Sequence, residues 1–402
     1  MLIRAWLART ILLLMLLCPW QSVFSQTSSN TITLAFGYEN YDFAPLIKKF
    51  ELQTNIKVNI AGYKNDLLKV ELLQRAKNNS LPDAVIVPAD FLGIKDIGFL
   101  TLSVDWINPN VGKTNLMAVS HRQQIKGVPV IAGNHLLLYY NKALVKQPAR
   151  SWVELQQQKQ TLNSDKQIDL IGWSYNEMFW FAPFLNAFGG SPLANNQVNL
   201  NTAAMRQAMT FYHQLAKSGL VNENCDYECS SNKFTQQQLR YVYNGVWAYG
   251  LYQKALGDNL GITRLPAIGK RPMKPYFSVH ALGFPSTLSN KSNKKLTDNL
   301  KQLALFFQSE ATQLAMWQNL NSLPVHQNVM QQILLNADDN LQAIIRQLVD
   351  AEPMPNDLAM SIVWEAMLKG NRRYWADVFD VNQASRYMQH IATKSVEELS
   401  QD

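Results

Sequence analysis

Beyond Leu17 this 402-residue chain has no uncharged apolar run near the roughly 20 residues that a membrane-spanning helix needs. Cysteine is rarer still, at three residues, which excludes a fold held by a disulfide framework. Charge is scattered. The formal net charge is +7, yet Lys48-Lys49, Lys270-Arg271, Lys294-Lys295 and Arg372-Arg373 stand apart, and no basic run interleaves with aromatics as in a nucleic-acid binder. The common chemical signatures are missing too. There is no G-x-x-x-x-G-K-[ST] phosphate loop, no G-x-G-x-x-G and no G-x-S-x-G elbow. The histidines, His121, His135, His213, His280, His326 and His390, never approach another His, Cys or acid at metal-ligand spacing. No cofactor and no metal is therefore expected. Asp90 and Glu177 are the only carboxylates to nominate as a glycosidase pair, and nothing local marks either as an acid catalyst, so the chain reads as a non-enzyme.

The first 25 residues form an export leader. Arg4 and Arg9 give the positive region, Ile11 to Leu17 the short apolar region, and Val23-Phe24-Ser25 the small residues before a cleavage near Gln26. Cys18 raises the alternative of a lipid anchor, but it follows Leu17 where such cysteines follow a small residue. The expectation is a soluble periplasmic protein without an anchor. Cys225 and Cys229 remain in the mature chain, and in an oxidising compartment the C-x-x-x-C pair reads as a local disulfide. So small a loop makes it a staple and not a site.

Strand and helix signals alternate from residue 31. TITLAF (31–36) reads as a strand, Phe43 to Leu52 as a helix, NIKVNIAGY as a strand, DLLKVELLQRA as a helix and AVIV (84–87) as a buried strand. This rhythm predicts an α/β fold with a parallel sheet covered on both faces, and ligands in such sheets sit beyond the carboxyl ends of the strands. Later helices are expected in AAMRQAMTFYHQLAKSGL, LTDNLKQLALFFQS, ATQLAMWQNL and NVMQQILLNADDNLQAIIRQLV. Strands are expected at GVPVIAG, LLLYYN, GVWAYGLY and VHALGFP, and the glutamines 156–160 as a helix surface.

Aromatics cluster beside chain breaks. Trp152 follows Ser151, Phe179-Trp180-Phe181 follow Glu177, Trp247 and Tyr249 follow Asn244-Gly245, Tyr276-Phe277 follow Pro275, and Trp364 follows a proline loop. Mid-element aromatics fill cores, whereas aromatics beside Gly, Pro and Asn line clefts. With a few acids they suit a sugar: apolar faces for the C–H side of a pyranose, carboxylates for its hydroxyls.

At this point the chain resembles the extracellular sugar-binding proteins of ABC importers, the maltose-binding-protein family, over nearly its whole mature length. The segments that carry the resemblance are IKKFELQTNIKV, LPDAVIVPAD, GVPVIAGNHLLLYYNKALV, RSWVEL, NGVWAY and MPNDLAMSIVW, in the family's order and spacing. It implies two α/β lobes with a ligand cleft between them. The expected lobes are residues 26–132 with about 282–325, and 135–277 with about 326–402. Crossovers fall near Ala132–His135, Phe277–Leu282 and Leu320–His326. By resemblance, Asp90, Glu177, Phe179, Trp247, Met354 and Trp364 are the ligand-binding residues. The family's charged pair in the first loop falls near Gly37 and Tyr38, a cleft tryptophan at Val87, an arginine at Phe91, and a glutamate at Gly133 or Asn134. The first lobe has therefore lost polar contacts that the family keeps. The implied protein is a monomer that binds a small carbohydrate and docks on an inner-membrane permease, without nucleic acid. A polyamine-like solute, or a membrane sensor in place of the permease, is the alternative. Locally, Asn356 or Asp357 is expected to cap a helix whose stripe carries Met360, Trp364 and Met367.

Overall fold

The computed structural model describes residues 30–37, 41–121, 123–161, 168–195, 197–286, 293–355 and 359–401. The leader, Cys18, Tyr38 and the capping pair Asn356-Asp357 lie outside them.

In chain order the strands are β1 (Thr31–Gly37), β2 (Lys57–Tyr63), β3 (Ala84–Pro88), β4 (Ser120–His121), β5 (Gln124–Ile125), β6 (Gly127–Gly133) and β7 (Leu136–Asn141). They continue as β8 (Asp169–Gly172), β9 (Leu193–Ala194), β10 (Gln197–Val198), β11 (Leu239–Gly245), β12 (Leu260–Thr263), β13 (Tyr276–Gly283) and β14 (Glu352–Pro353). Two sheets carry the fold. The first runs β14-β13-β3-β1-β2, with β6 also paired to β13; the second runs β12-β7-β11-β8. In the first, β2, β1 and β3 are parallel and β13 lies antiparallel to both β3 and β6. The pairs β4-β5 and β9-β10 are small hairpins.

The strands β3, β6 and β7 are buried on both faces, which is why they read as continuous apolar runs. The edge strand β2 is largely exposed. Alternation along β3 sends Ala84 and Ile86 into one core with Phe50, Leu300 and Phe307, and Val85 and Val87 into another with Leu68 and Leu72. On β7, Leu136 and Leu138 face Trp152, Trp173 and Phe184, while Leu137 and Tyr139 face Leu341 and Ile344. Each lobe is thus a sheet between two helical layers.

The helices start where the sequence supplies a cap. Ser151, Thr202, Asp226, Asn293, Ser309 and Asp338 each accept a hydrogen bond from a backbone N–H in the first turn. Two sequence expectations need correction. NVMQQILLNADDNLQAIIRQLV is two helices, Gln327–Leu335 and Asp339–Asp350, because Asp338 accepts from Leu341 N at 2.7 Å and starts a new one. GVWAYGLY is not a strand either. The strand ends at Gly245, Val246–Ala248 make a 3-10 turn, and Tyr249–Leu256 is helical. The segment Phe277–Leu282, expected as a crossover, lies inside β13.

Candidate functional site

Loops that follow the carboxyl ends of strands carry most of the candidate residues. In the first sheet β3 ends at Pro88 and runs directly into a 3-10 turn, Ala89–Gly93, that carries Asp90. In the second, β8 ends at Gly172 ahead of Glu177 and Phe179, and β11 ends at Gly245 ahead of Trp247. The strand-end rule for open α/β sheets therefore operates in both lobes.

The segment after β8 is held firmly. Trp180 Nε1 donates to the Tyr243 carbonyl at 2.9 Å, and the Tyr243 hydroxyl donates back to the Trp180 carbonyl at 3.1 Å. This reciprocal pair ties the helix Met178–Ala187 to β11. That helix is buried on nearly every side, and Pro183 is tolerated within it, while Phe179 stays half-buried. A large ring left open on an otherwise buried helix is the kind of exposure that carries information. Glu177 precedes the helix and is exposed; its N–H donates to the Ser174 carbonyl at 3.2 Å.

Trp247 owes its pose to its neighbours. The Tyr139 hydroxyl donates to the Gly245 carbonyl at 2.8 Å and pins the strand end. A Cβ on Gly245 would lie 2.1 Å from Trp247 Cζ3, so the indole folds back over the one residue without a side chain. The ring is half-buried and packs against cores of both lobes. Trp364 projects from the helix Ala359–Trp375, whose Met360, Val363 and Met367 are sunk in the second lobe. Met354 directly follows β14; its N–H donates to the Phe277 carbonyl at 3.0 Å, and its side chain is half-buried.

Three rings chosen from distant parts of the sequence meet here. Phe179 lies 6.1 Å from Trp247 and 6.5 Å from Trp364, centroid to centroid. The run extends through Tyr276, 6.4 Å from Trp364, and through Trp180, 5.9 Å from Trp247 and 6.2 Å from Tyr227. The first lobe supplies a different surface. Burial pushes the Asp90 carboxyl up from its usual range, opposed by the Lys69 ammonium. Lys69 Nζ also sits 5.8 Å over the ring of Phe91. A cation thus stands beside Asp90, supplied by another helix, although position 91 is aromatic. Tyr41 is buried and lies 5.8 Å from the His280 ring; burial and the nearby Tyr227 raise its phenol. The lobes touch at this end, with Lys64 Nζ 4.0 Å from Glu228 Oε2.

Tyr41, Lys69, Trp180, Tyr227 and His280 were not among the sequence candidates. Tyr276 and Trp180 carried a usable signal, aromatics beside a break. Tyr41 and His280 carried none, because what makes them notable is their contact across 239 positions of sequence. Cys225 and Cys229 are joined, with sulfurs 1.98 Å apart; Cys225 directly precedes the N-cap Asp226, whose side chain accepts from the Cys229 N–H. Two cavities lie elsewhere, one beside Lys159, Asp169 and Cys225 and one beside Tyr249 and Trp317, and neither includes any of the six candidate ligand residues. Among the described residues no three His, Cys, Asp or Glu side chains gather as a metal site, and no helix is long and apolar enough to cross a membrane.

Two α/β lobes, with a ring cluster at the strand ends of the second and the Asp90 turn at a strand end of the first, define a two-lobe solute-binding fold. Residues 45–343 match the model of the bacterial extracellular solute-binding proteins, and the chain belongs to that family. It is similar to the maltooligosaccharide ABC transporter solute-binding lipoproteins of two Streptococcus pneumoniae strains, 20% identical over 373 residues in each case, with 86% of this chain and 84% of theirs covered. Its fold also resembles the maltose/maltodextrin-binding domain MalE of Bdellovibrio bacteriovorus bound to maltotriose. That match has a TM-score of 0.82 at 22% identity and covers 91% of this chain and 100% of the other.

Proposed function

We propose that the chain binds a neutral carbohydrate, an oligosaccharide or a sugar derivative, between its lobes and presents it to an ABC permease. The observation that carries this reading is the meeting of half-buried Phe179, Trp247 and Trp364 from three separate elements. Stacked pyranose C–H faces fit such rings, and Glu177, Asp90 and Met354 stand at the edges of the same cleft in this reading. The relatives named as maltooligosaccharide-binding point the same way. Ligand contacts made to both lobes favour the lobe-to-lobe arrangement, which a permease then reads. The lobes are assigned as residues 26–132 with about 282–325, and 135–277 with about 326–402, the unit working as a monomer in the periplasm.

A polyamine is the weaker choice. A dication needs carboxylates free to pair with it, and Asp90 already has the Lys69 ammonium beside it. The relatives' names as lipoproteins run against the expected loss of Cys18; the mass of the exported protein, with or without diacylglycerol, separates the two.

A thermal-shift panel of maltotriose, shorter and longer dextrins, spermidine and amino acids tests the assignment. A ligand at 100 times its Kd stabilises by about 2.7 kcal/mol. A shift with a sugar and none with spermidine is expected; the reverse overturns the reading. Dextrins recovered intact after long incubation are expected of a binding protein and not of a glycosidase.

A further inference from the structure

We propose that His280 is a ligand-contact residue, whose imidazole hydrogen-bonds a hydroxyl of the solute from the first-lobe side of the cleft. The inference rests on the carbohydrate reading above and adds the group that answers the rings. His280 sits on β13 opposite Pro88, the last residue of β3, and Ile131 of β6. It therefore stands inside the first sheet, level with the end of β3 where the Asp90 turn begins. The Tyr41 ring meets it edge-on, 81° between planes, which fixes the imidazole's orientation. No group among the described residues satisfies Nε2, and that atom is sealed from solvent in this arrangement of the lobes.

An imidazole nitrogen left bare in this way is destabilising, because its desolvation is not repaid by a hydrogen bond. Other histidines also carry unbonded nitrogens, but their settings differ. His213 packs on Tyr374 within the second lobe, and His135 already uses Nε2 on the Ile344 carbonyl. Of these histidines, His280 is the one that adjoins Tyr41 and stands next to the strand end that leads into the Asp90 turn. Burial lowers the pKa of His280 to about 4, so the ring is neutral in ordinary media, with one nitrogen an acceptor and the other a donor. A sugar hydroxyl both donates and accepts, so either tautomer serves. A neutral imidazole also carries no charge to repel or attract ions, which suits an uncharged solute.

The test compares His280→Leu and His280→Gln with wild type by calorimetric titration with maltotriose and by thermal unfolding without ligand. Leucine has a similar bulk and removes the bare nitrogen. The expected signature is a melting temperature that holds or rises while affinity falls roughly ten- to hundred-fold. Glutamine, which places an amide near Nε2, should recover most of that loss. Equal affinity in the leucine variant overturns the role, and so does a glutamine variant as weak as the leucine one, since the ring would then act by shape alone. If wild type binds none of the neutral sugars, the carbohydrate reading fails and this inference with it. If wild type binds and the leucine variant binds as well, only His280 is wrongly assigned.

Discussion

On the second lobe, Phe179, Trp180, Trp247 and Trp364 form a run of rings whose backbones are tied down by buried strands and helices. On the first lobe, the strand end that carries Asp90 has Lys69 beside it from a helix, and the neighbouring strand carries His280 against Tyr41, all polar groups. The two faces obey one topological rule and differ in furnishing. Apolar stacking is tolerant of which hydroxyl points where, while hydrogen-bonding groups are not. The second lobe is therefore expected to supply affinity for carbohydrate in general, and the first lobe to choose among carbohydrates.

Substitutions should separate the two contributions. Trp247→Ala is expected to have the largest effect, because the ring is shared by cores of both lobes: about 3–5 kcal/mol lost in urea unfolding, together with binding. Acid comes next. His135 at the crossover between β6 and β7 is fully buried, and burial lowers its pKa to about 4 from an ordinary 6.5. The unfolded chain takes up that proton first as the pH falls. The His135 contribution to stability is thus complete above pH 6.5 and declines down to about pH 4, by about 3 kcal/mol. His280 contributes in the same window, so His135→Asn should make the slope shallower in unfolding titrations without abolishing it. Trp364→Ala should weaken sugar binding by about 1–3 kcal/mol in calorimetry while the melting temperature moves little, since its helix keeps Met360, Val363 and Met367 in the core. A variant that unfolds would mean Trp364 is core. Asp90→Asn is expected to cost less, below about 1 kcal/mol for the sugar that fits best, but to reorder preference within a dextrin panel. Lys64→Ala should change affinity least, by under about 1 kcal/mol, because the pair with Glu228 is exposed at both ends.

Much of the scaffold was legible in the residues. GVPVIAG and LLLYYN coincide with β6 and β7 to the residue, since buried strands announce themselves as short apolar runs between breaks. The same property misled at GVWAYGLY, where an apolar run cannot distinguish a strand from a 3-10 turn followed by a helix. The missed break at Asp338 was readable in principle, as an acid placed three residues before Leu341. Of the site, the second lobe's rings were legible because each follows a local break. Tyr41 and His280 were not, for their meaning lies in a contact between distant strand ends. Sequence-local signals find rings that follow breaks, and miss groups whose interest lies in a pairing between distant segments.

Gly245 gives the cleft an adjustable part. The indole of Trp247 occupies the space that a methyl at position 245 would need. One added carbon at position 245 would displace the indole and, in the reading proposed above, tilt a stacking ring while leaving every proposed contact group chemically unchanged. The receptor's tuning range is thus open to editing from beneath its floor. A graded set of biosensors for one sugar is accessible by altering the seat of a tryptophan and leaving the tryptophan itself in place.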